Sequence, residues 1–199
     1  MPDVEFEATF RHARPSTQLV MLLAREAGLR HATIRNFTAG NCNFETHEIT
    51  GRSKAHSSYT VPMSNRLFER LLFVCAGAID AREPLLCQFN PGRKKPHYNS
   101  LTRGVMIAKA RAGVTRKWGL HDLRRTAARA LYERTHDIRK VQRLLGHMSL
   151  TQSLWYLGNA AIELSHEEME AAGCEPNPSP NQSESPDSQP NHEPRQRIA

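Results

Sequence analysis

Residues His121–Tyr156 read HDLRRTAARALYERTHDIRKVQRLLGHMSLTQSLWY, and this segment is the most informative part of the chain. His121 and Arg124 are three residues apart, so on a helix they lie on one face and can contact the same ligand. Residues 144–147 read Leu-Leu-Gly-His, which is typical of a helix end, because Gly146 can adopt the left-handed conformation that closes a C-terminus. We therefore predict a tight corner after this helix, with the histidine held at it.

A second, short helix that carries Tyr156 is expected to follow this corner. Ser149 or Thr151 is a candidate N-cap for that helix, because a hydroxyl oxygen can accept a hydrogen bond from a backbone amide of the first turn. A phenol on such a helix can approach a bound ligand while the rest of the pocket stays rigid.

Four side chains of the segment form a coherent chemical set. Arg124, His147 and Tyr156 follow His121 at offsets of 3, 26 and 35 residues. They supply a phosphate-binding cation, two imidazoles that can handle protons, and a phenol that can act as a nucleophile. A site of this kind can open a DNA phosphodiester without a metal ion.

These residue types and intervals resemble the C-terminal catalytic motif of the tyrosine recombinases, which are also called phage integrases. The family pattern runs from His-x-x-Arg through Leu-Leu-Gly-His to a nucleophilic tyrosine after eight intervening residues, and this chain matches each interval. The resemblance implies the fold of the integrase catalytic domain. It also implies that the remaining active-site residues lie upstream.

Two upstream residues resemble the rest of that active site. Residues 28–30 read Gly-Leu-Arg at the end of a predicted helix, as in the family, which implies that Arg30 is a phosphate-binding arginine. Lys54 lies in the turn of a predicted β-hairpin, eight residues before Pro62, where the family carries a lysine. Three residues after the first arginine the family usually has a supporting carboxylate, whereas this chain has Thr33.

The implied reaction uses no cofactor and no metal ion. Tyrosine has an ordinary pKa of about 10, so its phenol must be activated by its surroundings. Two arginines can hold both non-bridging oxygens of a phosphodiester, and a lysine can protonate the 5′-oxygen that leaves. The histidines can donate to the phosphate or relay the phenol proton, and the sequence leaves both roles open. The implied catalytic residues are Arg30, Lys54, His121, Arg124, His147 and Tyr156.

A covalent phosphotyrosine intermediate follows from this set. The phosphate ester is exchanged for another ester, so rejoining the strand requires no ATP. The sequence contains no Gly-x-x-x-x-Gly-Lys-Ser/Thr phosphate loop and no Asp/Glu cluster at magnesium-binding spacing, which disfavours a two-metal nuclease.

The distribution of charge indicates a polyanionic partner. Residues 1–162 hold 25 Lys/Arg against 12 Asp/Glu, a net of +13, whereas residues 163–199 hold 2 against 8, a net of −6. A basic excess of this size is typical of domains that bind double-stranded DNA, with an affinity that falls steeply with salt. Candidate contacts to the DNA backbone are the basic clusters at residues 93–95, 111–117 and 139–143.

The length and the apolar runs predict one mainly α domain with a small antiparallel β-sheet, an α+β fold class. The sheet is expected around residues 44–63, and Ser64, Ser100 and Asp137 are candidate N-caps. The catalytic domain should span residues 1–172. The predicted helices cover residues 16–28, 64–77, 100–112, 121–134, 137–145, 150–158 and 161–172.

A disordered tail is predicted over residues 173–199, because the composition changes to Pro, Ser, Asn, Gln and Glu. The N-terminus lacks the basic and apolar segments of a signal peptide, and no apolar run approaches the ~20 residues of a transmembrane helix. The four cysteines lack metal-ligand spacing and are interpreted as reduced thiols. We therefore expect a cytoplasmic, nucleoid-associated protein, encoded by a bacterium or a phage, with no membrane contact.

The resemblance implies a site-specific recombinase that acts as a homo-tetramer on paired DNA sites. Each protomer would cut one strand, leave a 3′-phosphotyrosyl end and a free 5′-hydroxyl, and exchange strands with its neighbour. The family's C-terminal segment packs on a neighbouring protomer, so residues 159–172 are the candidate for that contact. Accessory DNA-bending proteins are compatible with this assembly.

Two other interpretations stay open. Most family members carry a further helical DNA-binding domain ahead of the catalytic domain, and the sequence before residue 15 has no room for one. The chain could therefore be a truncated, catalytically impaired remnant that only binds DNA. A type IB topoisomerase shares the chemistry, although the short interval from Leu-Leu-Gly-His to the tyrosine favours a recombinase.

Overall fold

The computed structural model describes residues 2–52, 58–78, 80–89 and 96–158. The mainly α architecture with one small antiparallel sheet, predicted from the sequence, is confirmed. Two short 3-10 turns, Ala39–Asn41 and Leu85–Phe89, lie between longer elements. In chain order the helices are α1 (Asp3–Arg11), α2 (Pro15–Arg25), α3 (His31–Arg35), α4 (Asn65–Ala76), α5 (Tyr98–Arg111), α6 (Leu120–Thr135), α7 (Ile138–Leu145) and α8 (Leu150–Leu157), and the strands are β1 (Cys42–Asn43), β2 (Glu48–Arg52) and β3 (Ser58–Pro62).

Helix α2 forms the centre of the core. Leu19, Met21, Leu22 and Leu23 are all buried, so apolar side chains cover every side of the second half of this helix. A helix that is apolar all round is stable only when other elements surround it. Helix α2 meets that condition, because α3, α4, α5 and α6 all pack against it.

The sheet has the strand order β1-β2-β3, and both neighbouring pairs are antiparallel. Ile49 of β2 pairs with Val61 of β3, and both side chains are buried. The next pair, Thr50 and Thr60, is exposed. This alternation is expected of a sheet that packs one face on the core and turns the other face to solvent.

Several predicted helix ends agree with the structure. Ser64, Asp137 and Ser149 cap α4, α7 and α8, and their side-chain oxygens accept hydrogen bonds from backbone amides of the first turn. Helix α7 ends at Leu145, and Gly146 has the left-handed conformation with a φ of 55°. The predicted corner is therefore confirmed, and α8 follows it closely.

Two predicted boundaries were wrong. Helix α5 begins at Tyr98 rather than at residue 100, because the ring Nδ1 atom of His97 accepts a hydrogen bond from the Asn99 amide and caps the helix. Helix α2 ends at Arg25 rather than at residue 28. Gly28 has a φ of 60° and turns the chain out of the right-handed helix.

The sequence patterns did not predict α1 or α3. The main contribution of α1 to the core is Phe6, and the guanidinium of Arg25 stacks on this ring at 4.2 Å from its centroid. Helix α3 has five residues and buries Ile34. Each helix buries too few apolar side chains to give a recognisable helical period.

Some predictions fall outside the described residues. They are the position of Lys54, the helix over residues 161–172, the domain end at residue 172 and the tail over residues 173–199. Among the residues that the structure describes, no helix is both long enough and apolar enough to cross a membrane.

Gly28 provides a test of how the core meets α7. Its φ is 60°, and an added Cβ would lie 3.2 Å from Cγ of Leu144. We predict that Gly28→Ala lowers the free energy of unfolding by about 2–4 kcal/mol, because the left-handed conformation costs an L-residue about 1–2 kcal/mol and crowding adds to it. Urea unfolding measures the change.

The matched control is Gly113→Ala. Gly113 has a similar φ of 67°, but an added Cβ meets no atom within 4 Å. This variant should lose only the free energy of unfolding that the left-handed backbone conformation costs an L-residue. Equal losses in the two variants would mean that the contact with Leu144 contributes nothing.

Candidate active site

Five of the six predicted site residues lie around one open pocket of about 640 Å³. The pocket is formed where the beginning of α3, the beginning of α6 and the corner between α7 and α8 come together. The sixth residue, Lys54, lies outside the described residues. The five that the fold brings together are Arg30, His121, Arg124, His147 and Tyr156.

Arg124 is buried at the base of this pocket, with 5% of the residue exposed. Its Nη1 atom donates to the carbonyl of Gly28, and its Nη2 atom donates to the carbonyl of Leu145 at 2.6 Å. Burial, reinforced by the charge of Arg30, lowers the pKa of Arg124 to about 10, so the guanidinium is still charged at neutral pH. Its position is fixed by the backbone on both sides.

Arg30 lies at the N-cap of α3 and is exposed. Its Nη2 atom is 3.4 Å from the carbonyl oxygen of Gly146, which is a long hydrogen bond. The two arginines therefore approach neighbouring carbonyls at the C-terminal end of α7, where the helix dipole favours positive charge. The buried guanidinium is held firmly, and the exposed one is held loosely.

Tyr156 is surrounded by aromatic and cationic groups. Its ring makes edge-to-face contacts with His121 and His147, with centroids 5.1 and 5.4 Å apart. Its hydroxyl donates to the backbone carbonyl of His121 at 3.4 Å. Burial raises the pKa of Tyr156, while the charges of Arg124 and Arg125 oppose that rise. The phenol is therefore protonated in the resting site.

His147 is fixed by its neighbours on α7 and α8. Its Nδ1 atom lies 3.1 Å from the hydroxyl oxygen of Ser153, which is fully buried. The side-chain amide of Gln142 donates to the His147 carbonyl at 3.1 Å. Burial, with the charges of Arg124 and Arg30, lowers the pKa of His147 to about 4, so the imidazole is neutral at neutral pH.

Sequence reasoning missed two residues that contact the site. Ser153 is three residues before Tyr156 on α8, a spacing that places both on one face of the helix and could have identified it. Arg125 is exposed, and its Cζ atom lies 5.6 Å from the centroid of the Tyr156 ring. Only its neighbour Arg124 is part of the recognised motif.

The pocket is suited to a phosphate group. Two guanidiniums, three imidazoles and one phenol line it, and no acidic side chain of the described chain does so. An anion in this position would accept hydrogen bonds from both guanidiniums, and charge-assisted hydrogen bonds of this kind are roughly twice as strong as neutral ones. The phenol would lie beside the bound anion, where a nucleophile is required.

Comparison with family models places the chain in a known group of proteins. The model described as the phage integrase family matches residues 5–162. Comparison with curated protein sequences found no significant match.

Solved structures share the fold. The chain is similar to XerA recombinase, with a TM-score of 0.69 and 19% identity over 89% of this chain and 64% of that one. It is similar to XerH site-specific recombinase bound to its difH substrate, with a TM-score of 0.66 and 20% identity over 87% and 53%. A lambda integrase dimer bound to a core site matches with a TM-score of 0.63 and 20% identity over 83% and 49%.

These likenesses confirm the predicted fold of the integrase catalytic domain. The chain spans about half to two thirds of the length of each of these three proteins.

The neutral state of His147 predicts how stability depends on pH. The pKa of His147 is lowered from its ordinary 6.5 to about 4 in the folded protein, so between these pH values the unfolded chain binds a proton that the folded chain does not. The corresponding stability is complete above pH 6.5 and is lost as the pH falls towards 4. We expect His147→Gln to depend less on pH than the wild type over this window.

Urea unfolding at a series of pH values measures the difference between the two proteins. His12→Gln, which changes an exposed histidine outside the pocket, is the control and should follow the wild type. If His147→Gln and the wild type lose stability in parallel, the imidazole is not held neutral by the fold.

Proposed function

The chain belongs to the phage integrase family, and we propose that it is a site-specific DNA recombinase that cleaves and rejoins strands through a covalent 3′-phosphotyrosyl intermediate. One observation carries this proposal. Tyr156, Arg30 and Arg124 come from distant parts of the chain, yet they line the same pocket. A phenol needs such cationic surroundings to attack a phosphodiester.

The proposed substrate is double-stranded DNA. XerH recombinase and lambda integrase have been solved in complexes with DNA, and this chain has their fold. Residues 1–162 carry a net charge of +13, from 25 Lys/Arg against 12 Asp/Glu. Arg125 lies beside the pocket and is exposed, so it is suited to the phosphate next to the one that is cleaved.

In our proposal, Arg30 and Arg124 hold the non-bridging oxygens of the scissile phosphate. A guanidinium has five N–H donors, and the two backbone hydrogen bonds of Arg124 use only part of them. Because Arg124 is buried, its remaining donors act in a medium of low dielectric and stabilise the developing charge strongly. Arg30 is exposed and would tighten around the phosphate when DNA binds.

The contact with Ser153 supports a role for His147. The buried Ser153 hydroxyl has its described hydrogen-bond partner in the Nδ1 atom of His147. We propose that the hydroxyl donates and Nδ1 accepts, which is one of the two tautomers that this contact allows. A neutral imidazole that accepts at Nδ1 carries its hydrogen on Nε2. We therefore propose that His147 donates a hydrogen bond to the phosphate, and that Ser153 positions it.

The proposed chemical step exchanges one ester for another. The Tyr156 oxygen attacks phosphorus and forms a P–O bond, while the bond from phosphorus to the 5′-oxygen breaks. The phenol proton passes to His121 or to solvent, and the 5′-oxygen leaves as a hydroxyl after taking a proton from a general acid. Lys54 is our candidate for that acid, which is typically worth 10²- to 10⁴-fold in rate. The reverse reaction rejoins the strand.

We propose that the enzyme works as a homo-tetramer on two paired DNA sites, with residues 159–172 contacting a neighbouring protomer. Accessory DNA-bending proteins are compatible with this assembly. One observation favours a second candidate function. Arg30 is exposed, and its described contact is a long hydrogen bond to the Gly146 carbonyl, so the domain could bind a DNA phosphate without fixing it for attack and act only as a DNA-binding protein.

Trapping the covalent intermediate separates the two candidates. A DNA site is first selected from random sequences by its binding to the protein. We expect the wild type to form a denaturation-resistant complex with a nicked duplex that carries this site. Tyr156→Phe should bind this duplex without forming the covalent, denaturation-resistant complex, because it lacks the attacking oxygen. Denaturing gel electrophoresis of labelled DNA measures the product.

The matched control is Tyr132→Phe, which changes a tyrosine of α6 outside the pocket and should behave as the wild type. If the wild type and Tyr156→Phe give equal amounts of denaturation-resistant complex, the protein binds DNA without cleaving it. Relaxation of supercoiled plasmids that lack the site would favour a topoisomerase.

Substitution of either arginine should lower strand cleavage, but only substitution of Arg124 should also lower the free energy of unfolding substantially. Arg30→Gln removes one exposed donor, so strand cleavage should fall by about 10²- to 10³-fold while the free energy of unfolding changes by no more than about 0.5 kcal/mol. Arg124→Gln should lose as much activity and also about 2–5 kcal/mol of stability, because two carbonyls lose their donor. Single-turnover cleavage and urea unfolding measure the two effects. Equal destabilisation by both substitutions would contradict this assignment.

A further inference from the structure

A second cavity lies at the opposite end of α2 from the proposed active site. It has a volume of about 290 Å³ and is formed by the end of α1, the beginning of α2 and one face of α5. Helix α2 has 11 residues, so its two ends are about 16 Å apart. Arg30 lies beyond the far end, and the cavity is therefore separate from the pocket that contains Tyr156.

The rim of this cavity is strongly basic. No acidic residue of the described chain lines it, and the three rim arginines form no ion pair with a described carboxylate. An anion bound in the cavity would be attracted by these charges. The basic lining residues are His12, Arg14, Arg103 and Arg111.

Helix α2 adds backbone donors to the same cavity. Arg14 occupies its N-cap and provides no side-chain cap, and Pro15 follows at the first helical position. The backbone amides of Ser16 and Thr17 have no hydrogen-bond partner among the described residues. The N-terminus of a helix with open amides attracts anions, because the helix dipole and the N–H groups act together.

The side chain of Thr17 points independently to a ligand. Thr17 is only 8% exposed, it lines the cavity, and its hydroxyl has no hydrogen-bond partner in the described part of the chain. The hydroxyl oxygen is accessible from the cavity, so a ligand there can form a hydrogen bond with it. This hydroxyl is placed to meet the same ligand as the amides of the first turn.

Gly104 keeps the floor of the cavity open. An added Cβ at this position would lie 2.6 Å from the Thr17 hydroxyl oxygen. Glycine inside a helix costs about 0.5–1 kcal/mol relative to alanine, and Gly104 lies in the middle of α5. Any larger residue would displace the hydroxyl or fill the space in front of it.

We propose that this cavity binds a phosphate dianion, either as inorganic phosphate or as the terminal phosphate of a small phosphorylated molecule. The ligand would accept hydrogen bonds from the amides of Ser16 and Thr17 and from the Thr17 hydroxyl, and its charge would be met by the rim arginines. A duplex phosphodiester carries a sugar on each side. It therefore reaches a largely buried hydroxyl less well than a terminal phosphate does.

A titration of the ¹⁵N-labelled full chain with inorganic phosphate, at constant ionic strength, tests the proposal. We expect saturable shifts of the Ser16 and Thr17 amides with a dissociation constant in the millimolar range or below, which corresponds to about −4 kcal/mol or better. The proposed active site is also cationic. It is followed separately through the amides of Gly146 and His147, so the result does not depend on the proposed function.

Three variants make the test specific. Arg111→Gln should weaken binding about 10-fold or more by removing a charge-assisted donor, and Thr17→Val should weaken it about 2- to 10-fold at nearly constant volume. Arg139→Gln removes an exposed arginine of α7 that does not line the cavity, and should leave the affinity unchanged. The amide spectra report directly whether each variant is folded.

Two results would overturn the proposal. One is a shift of the Ser16 and Thr17 amides that rises linearly with phosphate or is the same in Arg111→Gln. The other is saturation by a DNA duplex while inorganic phosphate has no effect, which would assign the cavity to the DNA backbone.

Discussion

The buried guanidinium of Arg124 is the contact on which the other features of the active site depend. It extends from α6 and donates to the carbonyl of Gly28, just after α2, and to the carbonyl of Leu145, at the end of α7. One side chain therefore joins three elements that are distant in sequence. The same contact determines where Arg30 and His147 lie, because each follows one of the two carbonyls by two residues.

The charge of Arg124 is neutralised by no carboxylate in the described part of the chain. Backbone carbonyls satisfy its hydrogen bonds, but they are dipoles and leave the net charge in place. This charge contributes to the low pKa of His147 and opposes the rise in the pKa of Tyr156 that burial causes. A bound phosphate would be the missing counterion.

Much of this arrangement could be predicted from the sequence, because its signals are local. Gly146 marks a left-handed helix end, Asp137 and Ser149 mark helix starts, and each depends on the chemistry of one residue in a short turn. The set of site residues was predicted from the resemblance to the tyrosine recombinase motif, because helix spacing by itself places only His121 and Arg124 on one face. The structure brings five of the six into one pocket, although their roles are still predictions.

What could not be predicted depends on contacts between distant residues. Helix α1 is held by the packing of Phe6 against Arg25, a contact that no local pattern reveals. The burial of Arg124 was equally hidden, because Arg124 and Arg125 are adjacent and chemically identical, and only the fold makes one a buried anchor and the other an exposed cation. The sequence presents both as basic residues on a helix.

The difference between Arg30 and Arg124 has a mechanical consequence. Arg30 is exposed, its described contact is a long hydrogen bond to Gly146, and Thr33 cannot offer it the carboxylate that the family usually supplies. One side of the proposed phosphate clamp is therefore organised before DNA binds, and the other must be ordered by the DNA. Ordering a long side chain costs about 0.5–1.5 kcal/mol, which would be taken from the binding energy. In this protein, the strength of the clamp would depend on the substrate as much as on the fold.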